Sequence, residues 1–395
     1  MYELKMNYDC IITGAGFCGS VIARKLAEQG KKILIIERRK HIAGNMYDVK
    51  DPNGILVQRY GPHIFHTNSK EVYEFITKYD AWIDYHHCPA VEMDSVLSPS
   101  PVNHKTIDLL YSEKEAETLK ACLEIRYPGQ KTVTILELLE CADPLINQYA
   151  KRLYEVNYCP YTVKQWGIPL EDVDPGVLKR VPIRLDYTDG YFDDEFQCMP
   201  KNGYTHFFEK VLAHENITVM LNINALDMLA LDTEKKLMLF EGKPLSIPVV
   251  YTGTVDALLD YRYGQLPYRS LRFNYLTERT DSFQEASVVA YPKAEGYTRI
   301  TEYKKLPPQN IPGVTTVAYE YPMPAGKNGG NEPYYPIQSV ANNELYDKYL
   351  HDLRKVQNLF LCGRLADYRY YNMDTAILRA LETFKAVQTA IKEPS

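Results

Sequence analysis

Apolar residues in the first forty positions change period twice. Residues 9–13 form a short apolar run that ends at glycine. Val21, Ile22 and Leu26 then recur at helical spacing, and the aliphatic run 33–36 is closed by Glu37. Short runs between turn signals predict buried strands, and the periodic stretch between them predicts a helix. Strand, helix, strand is the βαβ unit of a parallel sheet. Residues 70–78 place Val72, Phe75 and Ile76 on one helical face, with Asn68 and Ser69 as caps. Residues 82–102 are irregular and strand-like, with prolines at 89, 99 and 101. After Thr106 the period turns helical, and 113–127, 135–141 and 144–156 predict amphipathic helices. Residues 187–200 predict strands or a hairpin, and Asn202-Gly203-Tyr204 opens a helix over 205–212. Residues 217–221 and the alternation up to Phe240 predict a return to the domain of the first βαβ unit. Residues 249–253 predict another buried strand ending in glycine. Strong alternation over 268–302 predicts several short antiparallel strands, to which 315–321 adds one more. Residues 359–364 predict a strand ending at Gly363-Arg364, and 375–391 the final helix.

The turn inside the first βαβ unit carries chemistry. Gly14, Gly16 and Gly19 have G-x-G-x-x-G spacing. The first allows a tight turn, the second lets backbone approach a pyrophosphate, and the third lets helix and strand pack closely. The helix N-terminus, at Phe17, offers N–H groups and a positive dipole end to phosphates. Glu37 stands where a carboxylate accepts hydrogen bonds from a ribose. A basic pair and a small-residue turn follow, at Arg38, Arg39, Ala43, Gly44 and Asn45. That continuation suits a turn closing over FAD, so FAD is preferred to NAD(P). The late strand at 359–364 and the helix after it supply a second clasp on a flavin.

Composition narrows the partners. With 45 basic and 51 acidic residues, the formal charge is −6, which argues against nucleic acid held by bulk charge. An anionic ligand must be met by local arginines. No apolar run reaches the length of a membrane span, and no signal-peptide organisation precedes the first strand. The eight cysteines are scattered without a C-x-x-C pair, as expected of reduced thiols in a cytoplasmic protein. Thirty-three tyrosines stand against twelve phenylalanines. Tyrosine suits sugars and bases, although half-buried sheet positions account for many of them.

Two loops collect polar and aromatic groups. His63 and His66 flank Ile64-Phe65 after a Tyr60-Gly61-Pro62 turn. No Cys or Glu completes a ligand set at zinc-like spacing, so no metal is expected. The pair is expected to pack against flavin or substrate, with core or capping roles as the alternative. Residues 158–184 place Tyr161 and Trp166 in a stretch rich in Pro and Gly, followed by Arg180 and Arg184. Rings for a base and guanidinium forks for phosphates suit a nucleotide. The alternative is a domain-linking loop with an anchoring Trp.

Several motifs together resemble the UDP-galactopyranose mutase family. They are G-A-G-F-x-G at 14–19, Y-G-P-H-I-F-H-T at 60–67, Y-T-x-K-Q-W-G at 161–167 and R-V-P-I-R at 180–184. Y-T-R-I-T-E at 297–302, E-P-Y-Y-P at 332–336 and G-R-L-A-x-Y-R-Y-Y at 363–371 follow in the same order. The resemblance implies an α/β fold with a discontinuous Rossmann-like FAD-binding domain over 1–78, 200–260 and 340–395. An inserted helical domain with a mobile substrate loop would span 104–180. An antiparallel sheet domain would use 79–103, 181–199 and 261–339. The implied enzyme is an isomerase that interconverts UDP-galactopyranose and UDP-galactofuranose through a covalent adduct to N5 of reduced FAD.

The same resemblance assigns residues. Tyr161 and Trp166 would pack on the uridine, with Thr162 near the base. Arg180 and Arg299 would hold the diphosphate, the first on a lid, and Tyr191, Tyr335 and Tyr370 would donate to the phosphates. Glu320 would line the site. Arg364 would lie near flavin and substrate, with His63 and His66 near the isoalloxazine. Arg180, Arg299, Arg364 and His66 form the implied catalytic group. Gly14, Gly16, Phe17, Gly19, Glu37, Arg38, Arg39, Asn45, His63, Ile64, Arg364, Asn372 and Met373 form the implied cofactor set. NAD(P)H would reduce the flavin by transient contact, and a homodimer is the implied assembly. Asn372 replaces a customary aspartate, and the 85–103 stretch departs most, with Cys88 where an arginine is usual. A related mutase acting on UDP-N-acetylgalactosamine or a dTDP-6-deoxysugar is the first rival. An amine-oxidase-type FAD oxidoreductase is the second and a non-catalytic flavin-binding protein the third.

Overall fold

The computed structural model describes residues 7–167, 176, 178, 181–326 and 331–392. Strand β1 (Cys10–Thr13), helix α1 (Phe17–Ala27) and strand β2 (Ile33–Ile36) form the expected N-terminal unit. All four residues of each strand are buried, as a sheet covered on both faces requires. Ile217–Met220 pairs parallel to β2 on one side, and Val249–Tyr251 pairs parallel to β1 on the other. Leu359–Leu361 then closes a five-stranded parallel sheet. Chain segments more than three hundred residues apart therefore share one sheet. The last helix, Met373–Lys392, packs along α1. A phenylalanine cluster closes the core beneath α1, where Phe17 lies 4.8 Å from Phe208 and 6.4 Å from Phe65, centroid to centroid.

A second, seven-stranded sheet carries the alternation seen in the sequence. Its order runs Tyr335–Pro336, Tyr268–Glu278, Thr315–Pro324, Arg299–Glu302, Val288–Ala290, Ala90–Met93, Val96–Pro99. All its pairings are antiparallel except that of Val288–Ala290 with Ala90–Met93. Tyr268–Glu278 is one long strand, because Thr315–Pro324 pairs with it over ten residues. Phe196–Pro200 pairs instead with Phe65–Thr67 on one side and Trp82–Asp84 on the other, in a sheet of three. Of the alternation before Phe240, only Ile217–Met220 joins the parallel sheet. Leu229–Asp232, Leu237–Phe240 and Lys243–Pro244 form a small antiparallel sheet of their own.

The helical block has its own core of Leu119, Leu123, Leu138, Ile146 and Leu153. Capping explains its starts. Thr134 accepts from Glu137 N–H, and the Asp143 carboxylate accepts from Leu145 and Ile146 N–H. The stretch read as a loop around Tyr161 and Trp166 is helical. Pro144–Leu153 runs through one π turn, Tyr154–Tyr158, into the helix Cys159–Trp166. Pro160 occupies the first turn of that helix, where no amide donor is needed, and the widened turn before it makes room for the ring. Gly167 ends the helix at φ +65°, a left-handed position that favours glycine.

Candidate active site

The glycine turn is tight in the literal sense. Gly14 has φ +89°, and a Cβ there would lie 2.4 Å from Thr252 Oγ1. A Cβ on Gly19 would lie 2.0 Å from the carbonyl oxygen of Gly14. A Cβ on Gly44 would lie 3.0 Å from Gly16 Cα, so the small-residue turn after β2 rests directly on the phosphate turn. No side chain caps the α1 N-terminus, which leaves its first N–H groups to a ligand. The Glu37 carboxylate is buried and accepts from Ala15 N–H and Arg39 N–H, both at 2.8 Å. Each oxygen retains a lone pair for a ribose hydroxyl. A cavity of about 540 Å³ opens here, lined by Gly14, Gly16, Glu37, Arg38, Arg39 and Asn45.

Both arginines after β2 are held by a residue the sequence did not single out. Glu332 accepts from Arg39 at 2.8 Å and from Arg38. Arg39 also donates to Asn45 Oδ1 at 2.8 Å and lies 4.5 Å over the Tyr60 ring. Glu332 opens the E-P-Y-Y-P motif, so that motif is tied to the turn after β2.

A second cavity, of about 740 Å³, adjoins the C-terminal clasp. Its lining brings together Tyr161, Thr162, Trp166, Tyr191, Arg299, Tyr335, Arg364, Tyr370 and Asn372 from distant parts of the chain. His63, Ile64, His66 and Met373 complete its wall. Thus nearly every residue assigned by resemblance to substrate or isoalloxazine faces one space. One assignment differs, and one cannot be placed. Glu320 lies behind the wall, 1% exposed, and acts on Arg299 rather than on the cavity. Arg180 lies outside the described residues.

Arg299 is the best-anchored cation in this wall. Its Nε and one terminal nitrogen both donate to Glu320 Oε2 at 2.8 Å. Burial works against the charge, but the adjacent Glu320 carboxylate outweighs it and holds the guanidinium protonated. Arg364 is fixed by the carbonyls of Tyr334 and Tyr371. It lies 4.9 Å over the Tyr370 ring and 5.4 Å over Tyr335, two rings that stack on each other. Burial pushes the Tyr161 hydroxyl pKa well up, and Tyr335 up to about 12 by burial and the neighbouring Tyr370. Both hydroxyls therefore keep their protons near neutral pH and are donors.

The two histidines of H-x-x-H point to different partners. His63 Nδ1 donates to the carbonyl of Gly61 at 2.9 Å, which fixes its tautomer. His66 Nδ1 bonds Asp194 Oδ2 at 2.8 Å, and its ring stacks on Phe192 at 3.7 Å. His87 is a third histidine on the wall, absent from the sequence assignment although it lies in the divergent 85–103 stretch. It is buried, and its Nδ1 has no partner among the described residues. Burial lowers the pKa of His63 to about 4, and burial with the nearby Arg299 charge lowers that of His87 to about 3. Unfolded histidines take up protons near pH 6.5, whereas these two do so only near 4 and 3. In that window the unfolded chain binds more protons, so stability rises with pH. Melting temperature is expected to fall steadily from pH 7 to pH 4. His87→Asn is expected to flatten that fall, and an unchanged slope would refute this source.

The family described as UDP-galactopyranose mutase matches residues 157–370, and a NAD(P)-binding Rossmann-like domain matches residues 12–79. A UDP-galactopyranose mutase of Mycoplasma pneumoniae is 35% identical over 381 residues, covering 95% of both chains. A dTDP-fucopyranose mutase of Escherichia coli is 34% identical over 376 residues, covering 94% of this chain and 96% of that one. Among solved structures, a reduced UDP-galactopyranose mutase shares the fold with TM-score 0.74 at 16% identity, over 98% of this chain and 95% of that one.

Proposed function

The chain belongs to the UDP-galactopyranose mutase family, and on that footing we propose that it interconverts UDP-galactopyranose and UDP-galactofuranose. The observation that carries this reading is the convergence of Arg299, Arg364 and proton-bearing tyrosines in one cavity beside a glycine-lined phosphate cradle. The cradle fits the ADP half of FAD, because its turns exclude even a methyl group and its buried acid has lone pairs to spare. In its reduced form, bound FAD supplies the nucleophile for the anomeric carbon of the sugar.

The chain's own residues bind, orient and neutralise. Gly14, Gly16, Phe17 and Gly19 hold the FAD pyrophosphate, Glu37 its ribose, and Asn45 with Arg38 and Arg39 closes over it. His63, Ile64, Asn372 and Met373 flank the ring system. Arg299 meets the substrate diphosphate with a charge that Glu320 keeps in place, and Arg180 is the second diphosphate ligand. Charge builds on UDP as it leaves, so a fixed cation aimed at the diphosphate lowers the barrier to leaving and to return. Tyr191, Tyr335 and Tyr370 donate to phosphate oxygens, and Tyr161, Thr162 and Trp166 frame the base. Arg364 and His66 stand between the diphosphate side and the flavin side of the cavity.

The reading includes an external reductant such as NAD(P)H and a homodimer, both resting on family resemblance alone, and a cytoplasmic setting, which rests on the scattered cysteines. A second reading, a mutase for a dTDP-6-deoxysugar, is favoured by the similar identity of the E. coli dTDP-fucopyranose mutase. Dithionite-reduced protein incubated with UDP-galactofuranose is expected to yield UDP-galactopyranose without oxygen consumption. Bound, reduced FAD with no pyranose formed would sink the first reading. Turnover of dTDP-fucofuranose in its place would establish the second.

A further inference from the structure

The helix Cys159–Trp166 presents Tyr161, Thr162 and Trp166 to the cavity, and two buried or half-buried cations fasten it to the seven-stranded sheet. Lys164 Nζ meets three carbonyls of one turn: Tyr291 at 2.8 Å, Ala294 at 2.6 Å and Tyr297 at 2.7 Å. An ammonium has three protons, so all are used, and no carboxylate among the described residues pairs with it. That turn leads straight into Arg299, two residues beyond Tyr297. In the same last turn of the helix, Arg269 Nε donates to the carbonyl of Gln165 at 3.0 Å. A Cβ on Gly167 would lie 2.5 Å from an Arg269 terminal nitrogen, so guanidinium and helix end are in direct contact. Arg269 stands opposite Tyr335 in the sheet, and its carbonyl accepts from Tyr334 N–H at 2.9 Å.

Each cation thus ties the helix to a chain position next to a diphosphate ligand, Arg299 in one case and Tyr335 in the other. We propose that Lys164 and Arg269 are positioning residues that lock the base-binding helix to the diphosphate-binding sheet. This inference rests on the nucleotide-sugar reading above. The two subsites become one rigid ruler for the distance from base to diphosphate. A ligand that spans both gains the effective concentration of its second half, and a ligand that occupies one gains nothing. Burying an ammonium among carbonyls carries a desolvation cost, which makes sense if rigidity of this joint is what the nucleotide requires.

Binding to the FAD holoenzyme, measured by calorimetry with UDP, uridine and inorganic pyrophosphate, tests the lock. The unsubstituted protein is expected to bind UDP far more tightly than either fragment. Lys164→Met is expected to weaken UDP about ten-fold while uridine and pyrophosphate stay within about two-fold. KM for the UDP-sugar rises accordingly, with turnover at saturation retained, and Lys164→Arg falls between. Unchanged UDP affinity, or an equal fall for all three probes, would overturn the inference. Should Lys164→Met fail to fold, Arg269→Gln is held to the same criteria. Failure of the unsubstituted protein to prefer UDP over uridine would instead overturn the nucleotide reading itself.

Discussion

Arg299→Ala is expected to lower kcat/KM by about 10²–10³-fold while FAD remains bound, the range seen when one preorganised donor to developing charge is removed. The geometry separates this from a general loss. Arg299 faces one cavity, whereas Gly14 and Gly16, proposed to cradle the FAD phosphates, line the other. The substitution has a second consequence. Glu320 is 1% exposed, and both nitrogens that reach its Oε2 come from Arg299. Its other oxygen has no partner among the described residues. Removing Arg299 strands a buried carboxylate, at a cost of about 3–5 kcal/mol. Arg299→Ala combined with Glu320→Gln is therefore expected to regain stability but not turnover. Steady-state kinetics, flavin absorbance and melting temperature on the three proteins check each part. Normal turnover in the single variant would remove Arg299 from the diphosphate site.

Gly19→Ala is expected to yield protein without FAD. Its Cβ would lie 2.0 Å from Gly14 O, 3.1 Å from Gly14 C and 3.2 Å from Ile12 Cγ2. Two of these are backbone atoms of the phosphate turn and cannot swing aside as a side chain does. Helix α1 must move off the turn, and its first N–H groups move with it, away from the pyrophosphate. Overpacking of this kind costs about 1–3 kcal/mol, occasionally more, before the ligand is counted. Gly30→Ala is the control. Gly30 has φ +79° but nothing within 4 Å of an added Cβ. It costs about 1–2 kcal/mol of left-handed strain and is expected to keep its flavin. Flavin content after gel filtration distinguishes the two, and full occupancy in Gly19→Ala would refute the close-packing argument.

The sequence by itself determined the N-terminal βαβ unit, because its constraints are local. Run length, helical period and glycine spacing all fall within thirty residues and agree with one another. It also determined which arginines, tyrosines and histidines belong to one family pattern, and those within the described residues line the two cavities, whereas Glu320 lies behind the wall. Local signals misled where a proline stood in a helix. Pro160 reads as a breaker, yet a π turn over Tyr154–Tyr158 admits it, so Tyr161 and Trp166 ride on a helix. Only the tertiary structure decided the partners across distance. Glu332 gathers Arg38 and Arg39 from almost three hundred residues away, and Glu320 holds Arg299 from the neighbouring strand. Lys164 finds its carbonyls about 130 residues on, and His87 enters the cavity from a stretch with no informative pattern. Such pairings depend on which strands become neighbours and in what register. Register is set by burial of the whole sheet face, a property that no single stretch of the chain contains.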